Sequence, residues 1–83
     1  MLRVLFFASI RERLGRREIA LPFDATCTSI AALAASLERE LPGCAGLLLA
    51  ERTIVALNRE VVTREQPLRD GDEIAFYPPV TGG

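Results

Sequence analysis

Apolar and polar positions alternate at both ends of this chain. In Leu2-Arg3-Val4-Leu5-Phe6-Phe7-Ala8 the two-residue period predicts a strand, with Leu2, Val4 and Phe6 on one face and Arg3, Leu5 and Phe7 on the other. The arginine marks the second face as the outer one. Near the other end, residues 72–77 predict a last strand with Ile74 and Phe76 inward and Glu73, Ala75 and Tyr77 outward, introduced by the turn signal Asp70-Gly71. Between them the period changes. Ile30, Leu33, Ala34, Leu37 and Leu41 follow the spacing of one buried helical stripe, capped by Thr28 or Ser29 and stopped by Leu41-Pro42-Gly43, with Glu38, Arg39 and Glu40 mostly exposed. Ser9-Ile10-Arg11-Glu12 has the S-x-x-E form of a capping box and predicts a short helix starting there and ending at Gly15. Further strands are expected over 18–22, 53–57 and 61–63, the last two joined by a turn at Asn58-Arg59-Glu60.

The resulting order, β–(short α)–β–α–β–β–β, implies an α+β fold: a mixed sheet with one main helix packed on one face. That is the β-grasp, or ubiquitin-like, arrangement. In it the first and last strands lie side by side at the sheet centre, so Phe7 and Tyr77 should stand near each other as exposed aromatics on the face away from the helix. An apolar patch in that position marks a partner surface.

Length sets a bound on the chemistry. With 83 residues, residues 1–83 are expected to form a single ubiquitin-like domain with one core and no cleft between domains, and residues 78–83 a flexible functional tail. The 49% apolar and 25% charged fractions are those of a soluble globular chain, and no apolar run approaches a membrane span. No signal peptide is recognisable, so a cytoplasmic location is expected. A net charge of −1 offers no footprint for nucleic acid; Arg11, Arg13, Arg16 and Arg17 read as a solvated face. Neither a nucleic-acid nor a membrane partner is expected.

The candidate chemistry is sparse. Cys27 and Cys44 form no CxxC and there is no histidine, so no metal site is expected and both cysteines read as small core or surface residues. Every cationic side chain is arginine, so an activated C-terminus could not join a lysine of its own chain. The ending Pro78-Pro79-Val80-Thr81-Gly82-Gly83 is different in kind. Two prolines end sheet pairing and stiffen the exit, whereas two glycines carry no side chain. Six extended residues reach about 20 Å, enough to carry the Gly83 carboxylate into a partner's narrow active site.

Val4-Leu5-Phe6-Phe7-Ala8 with Arg11-Glu12, the Asn58 hairpin, Pro67-Leu68, Asp70-Gly71-Asp72-Glu73 and the ending from Phe76 to Gly83 together resemble the small subunit of molybdopterin synthase, the MoaD-type sulfur carrier. The resemblance runs nearly end to end. It implies that a MoeB-type, E1-like adenylyltransferase uses ATP to adenylate Gly83, that a sulfur donor protein converts it to a thiocarboxylate, and that the carrier binds no cofactor of its own. The tail, Pro78 to Gly82, then threads into a MoaE-type large subunit. There the sulfur passes to precursor Z, cyclic pyranopterin monophosphate, within a heterotetrameric synthase whose catalytic residues belong to the large subunit. Phe7, Val61 and Tyr77 match the family's docking positions, with tyrosine in place of the commoner phenylalanine at 77. The alternatives are a thiamine-pathway (ThiS-type) sulfur carrier and a ubiquitin-like modifier joined to target lysines.

Overall fold

The structure is a computed structural model that describes residues 1–41, 43 and 46–79. Its elements are β1 (Leu2–Phe6), α1 (Ala8–Leu14), β2 (Glu18–Leu21), α2 (Ile30–Glu40), β3 (Ile54–Leu57), β4 (Glu60–Val62) and β5 (Glu73–Tyr77). The strands form one sheet in the order β2-β1-β5-β3-β4. β1 and β5 are parallel at its centre, and the remaining pairs are antiparallel. This is the β-grasp topology expected from the element order.

The alternating pattern of β1 decides which face is core. Leu2, Val4 and Phe6 are buried together with Ile74 and Phe76 of β5, and the stripe Ile30, Leu33, Ala34 and Leu37 of α2 belongs to the same cluster. Phe6 and Phe76 are register partners whose ring centroids lie 6.2 Å apart. Burying such rings contributes roughly 1.5–3 kcal/mol each. Ser29 caps α2 by accepting the Ala32 N–H at 3.1 Å, and the helix ends at Leu41, half-buried against the core.

Two local expectations are corrected. The Ser9/Glu12 capping box does not form, because α1 starts earlier, at Ala8, with Phe7 as its N-cap and no side-chain cap. The start is set by the sheet: the Phe7 N–H donates to the Phe76 carbonyl at 3.2 Å, and the Phe7 carbonyl accepts from Ile10 and Arg11. Ser9 therefore already lies inside the first turn. Gly15 does end the helix, in the left-handed conformation at φ 70. The second correction concerns Glu38, which is half-buried and not a solvated residue. Its carboxylate accepts the Gly46 N–H at 2.9 Å and the Leu49 N–H at 2.7 Å.

Those contacts organise the segment between α2 and β3, where no regular pattern is visible in the sequence. Leu48 enters the core fully buried. Arg64 faces the same segment, and its Nη2 donates to the carbonyls of Leu48 at 3.4 Å, Thr53 at 2.9 Å and Ala50. Thr53, buried, donates its hydroxyl to the Leu47 carbonyl at 2.7 Å.

Candidate docking face and tail

The face of the sheet opposite α2 is built by the same register that builds the core. Because Phe6 pairs with Phe76 inside, the next residues, Phe7 and Tyr77, emerge side by side outside. Their rings stack with centroids 4.6 Å apart and planes 7° from parallel. Each ring covers the other, so both are half-buried where full exposure was expected from the sequence.

The next row along the sheet is nearly flat. Leu5 pairs with Ala75, Ala75 with Ala56, and Ala56 with Val61. Residues directly opposite across a ladder share a face, so this row joins the aromatic pair on the outer side. Val61 is 75% exposed, the most exposed large apolar side chain of the described residues. The three residues expected to dock, Phe7, Val61 and Tyr77, thus share one face, with the small Ala56 and Ala75 between them. Leu5 and Ala75 stand outward as the alternation predicts, whereas Ala56 was placed on this face only by the register.

A charged row borders the apolar one. Arg3 donates from Nε to Glu18 Oε2 at 2.8 Å and from Nη1 to Glu73 Oε2 at 3.5 Å. The hydrogen bond from Arg3, and then its charge, hold the Glu18 carboxyl below the usual carboxylate range; the same hydrogen bond raises the Arg3 pKa. Arg3 and Glu73 line a concavity of about 470 Å³ together with Leu5, Phe7, Tyr77 and Arg59. Arg59 was not singled out from the sequence, where it reads as one residue of a turn.

The aromatic pair stands at the root of the tail. Tyr77 is the last residue of β5, followed by half-buried Pro78 and exposed Pro79. The remaining tail positions, Val80, Thr81, Gly82 and Gly83, lie outside the described residues, as does Cys44. Cys27 is buried under the loop that precedes α2, its Sγ accepting the Asp24 N–H at 3.3 Å. Among the described residues no cluster of metal-ligating side chains occurs, and no helix is long and apolar enough to cross a membrane.

This arrangement can bind a partner through a sheet face and deliver the following segment. A profile of the ThiS family matches residues 4–83. The chain belongs to the ThiS family. Within it, the chain is 39% identical over 85 aligned residues to the molybdopterin synthase sulfur carrier subunit of Escherichia coli strain K12, each chain covered in full. It is also 34% identical to small archaeal modifier protein 3 of Haloferax volcanii, covering 99% of this chain and 98% of that one. Among solved structures of the fold, it superposes with a TM-score of 0.66 on a chain of the protein–protein complex of subunits 1 and 2 of molybdopterin-converting factor from Helicobacter pylori 26695. Identity there is 26%, with 99% of this ThiS-family chain and 97% of that chain covered.

Proposed function

We propose that this chain is the sulfur carrier subunit of a molybdopterin synthase. The carrying observation is positional: the stacked Phe7 and Tyr77 stand where Pro78-Pro79 leaves the central strand, so a partner that grips the face also aims the residues that follow. Full-length similarity to a molybdopterin synthase sulfur carrier subunit supports the same reading.

In this reading a MoeB-type enzyme transfers AMP from ATP to the Gly83 carboxylate and releases pyrophosphate. The acyl-adenylate is an electrophile that the terminal sulfur of a donor-protein persulfide can attack, with AMP leaving and an acyl disulfide formed. A second thiol then attacks the donor-side sulfur, forming a disulfide with the donor and freeing the Gly83 thiocarboxylate. The MoaE-type large subunit then binds Phe7, Val61 and Tyr77, receives the tail from Pro78 to Gly82, and passes the Gly83 sulfur to precursor Z; two such transfers build the dithiolene. ATP is consumed by the activating partner, and the carrier itself needs no bound cofactor. Glycine at 82 and 83 fits a channel that must close around backbone, because neither position adds a side chain.

The similarity to a small archaeal modifier protein favours a second reading, in which the activated Gly83 is joined to lysines of other proteins. One experiment separates the two. The purified chain is incubated with the MoeB-type enzyme, ATP, a sulfur donor and the large subunit of the same organism, with a variant lacking Gly83 in parallel. The expected result is an intact-mass increase matching one oxygen-for-sulfur exchange, molybdopterin formation from precursor Z, and loss of both in the truncated chain at unchanged thermal stability. Equal synthesis by both chains overturns the role of Gly83, and lysine adducts without large-subunit binding favour the modifier.

A further inference from the structure

Arginines stand on both sides of the aromatic pair. One concavity of the outer face contains Arg59 beside Leu5, Phe7 and Tyr77, and a second, sharing Leu5 and Phe7, contains Arg11 and Arg17. Together these walls carry four arginines against only two glutamates, Glu18 and Glu73, in a chain whose net charge is −1. The face is therefore locally cationic. Both glutamates are taken by Arg3. Arg11, Arg17 and Arg59 form no ion pair with any described residue.

The backbone adds an independent observation at Arg59. Asn58 and Arg59 form the β3–β4 turn with φ 49 and φ 75, both left-handed. Two-residue hairpin turns of this kind favour Asn followed by Gly, because the second position has no room for a Cβ without strain. Asn58 fits that preference and Arg59 does not. An unfavourable backbone conformation held by a long charged side chain, on the wall of the docking concavity, points to use of that side chain.

We propose that Arg17 and Arg59 form a two-sided cationic rim that selects a protein partner whose apolar contact area is bordered by carboxylates. This rests on the docking-face reading above and specifies its partner chemistry. Guanidinium groups suit the task, since their planar donor forks match carboxylates bidentately and remain charged at any physiological pH. Phe7 and Tyr77 supply the buried centre of the contact, and the arginines at its edge steer the approach.

The test measures association and dissociation of the large subunit of the same organism by stopped-flow over a range of salt concentrations. It uses the unaltered chain, R17E/R59E and R17K/R59K, each checked for thermal stability. The double reversal is expected to slow association about tenfold or more at low salt and to flatten its salt dependence, with a smaller change in dissociation. The lysine variant keeps the charge and should retain most of the rate. If the reversed chain associates at the unaltered rate with the same salt dependence, or if the lysine variant loses as much as the glutamate one, the rim is overturned while the docking face stands. If the unaltered chain does not bind the large subunit at all, both readings fall.

Discussion

Asn58 and Asp72 tie the β3–β4 turn to the start of β5: the Asn58 side-chain amide donates to Asp72 Oδ1 at 3.0 Å, while its oxygen accepts the Glu73 N–H at 3.0 Å. Asp72 in turn accepts the Arg69 N–H at 2.8 Å, so one carboxylate holds both the Asp70-Gly71 turn and the hairpin. Two sequence motifs that lie 14 residues apart are thus one structural unit.

Replacing Asn58 tests that unit and separates its two contributions. Asn58→Ala loses both side-chain hydrogen bonds and keeps a Cβ at positive φ, and should cost about 1–2 kcal/mol in urea denaturation. Asn58→Gly loses the same bonds but removes the Cβ, and should cost less. Equal losses would show that the left-handed backbone carries no penalty here.

What the sequence made legible follows from periodicity. Two-residue alternation in β1 and β5 and the stripe of α2 fixed the core, the helix face and the outward placement of Phe7 and Tyr77, because each is a local repeat. Periodicity put Val61 in a strand, and only the family resemblance grouped it with the aromatics; the register through Ala56 and Ala75 places it on their face. The Ser9 box failed because a long-range bond, from Phe7 to Phe76, started the helix before the local signal. Likewise Glu38 and Arg64 are read as surface charges by any local rule, yet both bind backbone of the irregular segment before β3. Such partners are set by tertiary approach, which no spacing encodes.

Arg64 gives a second prediction. Arg64→Met keeps much of the apolar stem and leaves the Leu48, Ala50 and Thr53 carbonyls without their shared donor. A loss of about 1–3 kcal/mol is expected. Amide exchange should accelerate at Thr53, whose N–H bonds the Ala50 carbonyl at 3.0 Å, ahead of exchange in β5. Uniform acceleration across the sheet would mean that the segment does not open on its own.

The Phe7–Tyr77 stack predicts coupling in stability and joint loss in binding. A double-mutant cycle with Phe7→Ala and Tyr77→Ala should give an interaction of about 0.5–1.5 kcal/mol, as for other offset aromatic pairs. Each single change should weaken large-subunit binding by about 2 kcal/mol or more if both rings are buried anchors. Unaltered affinity in a folded Tyr77→Ala chain would remove that ring from the interface.

Acid should destabilise the fold through identifiable carboxylates. Glu18 is held below the usual range by its hydrogen bond from Arg3 and by that cation's charge. Asp24 is lowered by the hydrogen bond from the Thr26 hydroxyl at 2.6 Å, and next by the Thr26 N–H at 2.8 Å. A carboxyl with a lower pKa in the folded than in the unfolded chain stabilises the fold above its unfolded pKa, and that contribution disappears as pH falls through the folded value. Melting temperature should therefore decline from about pH 5 towards about pH 3. The double variant E18Q/D24N should start lower at neutral pH and decline less; an identical slope would assign the acid sensitivity to other groups.

The last prediction sets stability against binding at one residue. Arg59 occupies φ 75, where a side chain is strained and glycine is not. Arg59→Gly should therefore raise stability, by about 0.5–1 kcal/mol after the greater freedom of glycine in the unfolded chain is set against the relieved strain. The same substitution removes one side of the cationic rim. Association with the large subunit should slow and lose part of its salt dependence, although the more stable hairpin leaves Val61 and Ala56 in place. Binding loss through misfolding would lower the melting temperature, whereas loss of a functional charge would accompany an unchanged or raised one. Thermal denaturation and association kinetics on this single variant thus distinguish the causes. A variant that is more stable and binds as fast as the unaltered chain would show that Arg59 is tolerated in its turn for a reason unconnected with docking.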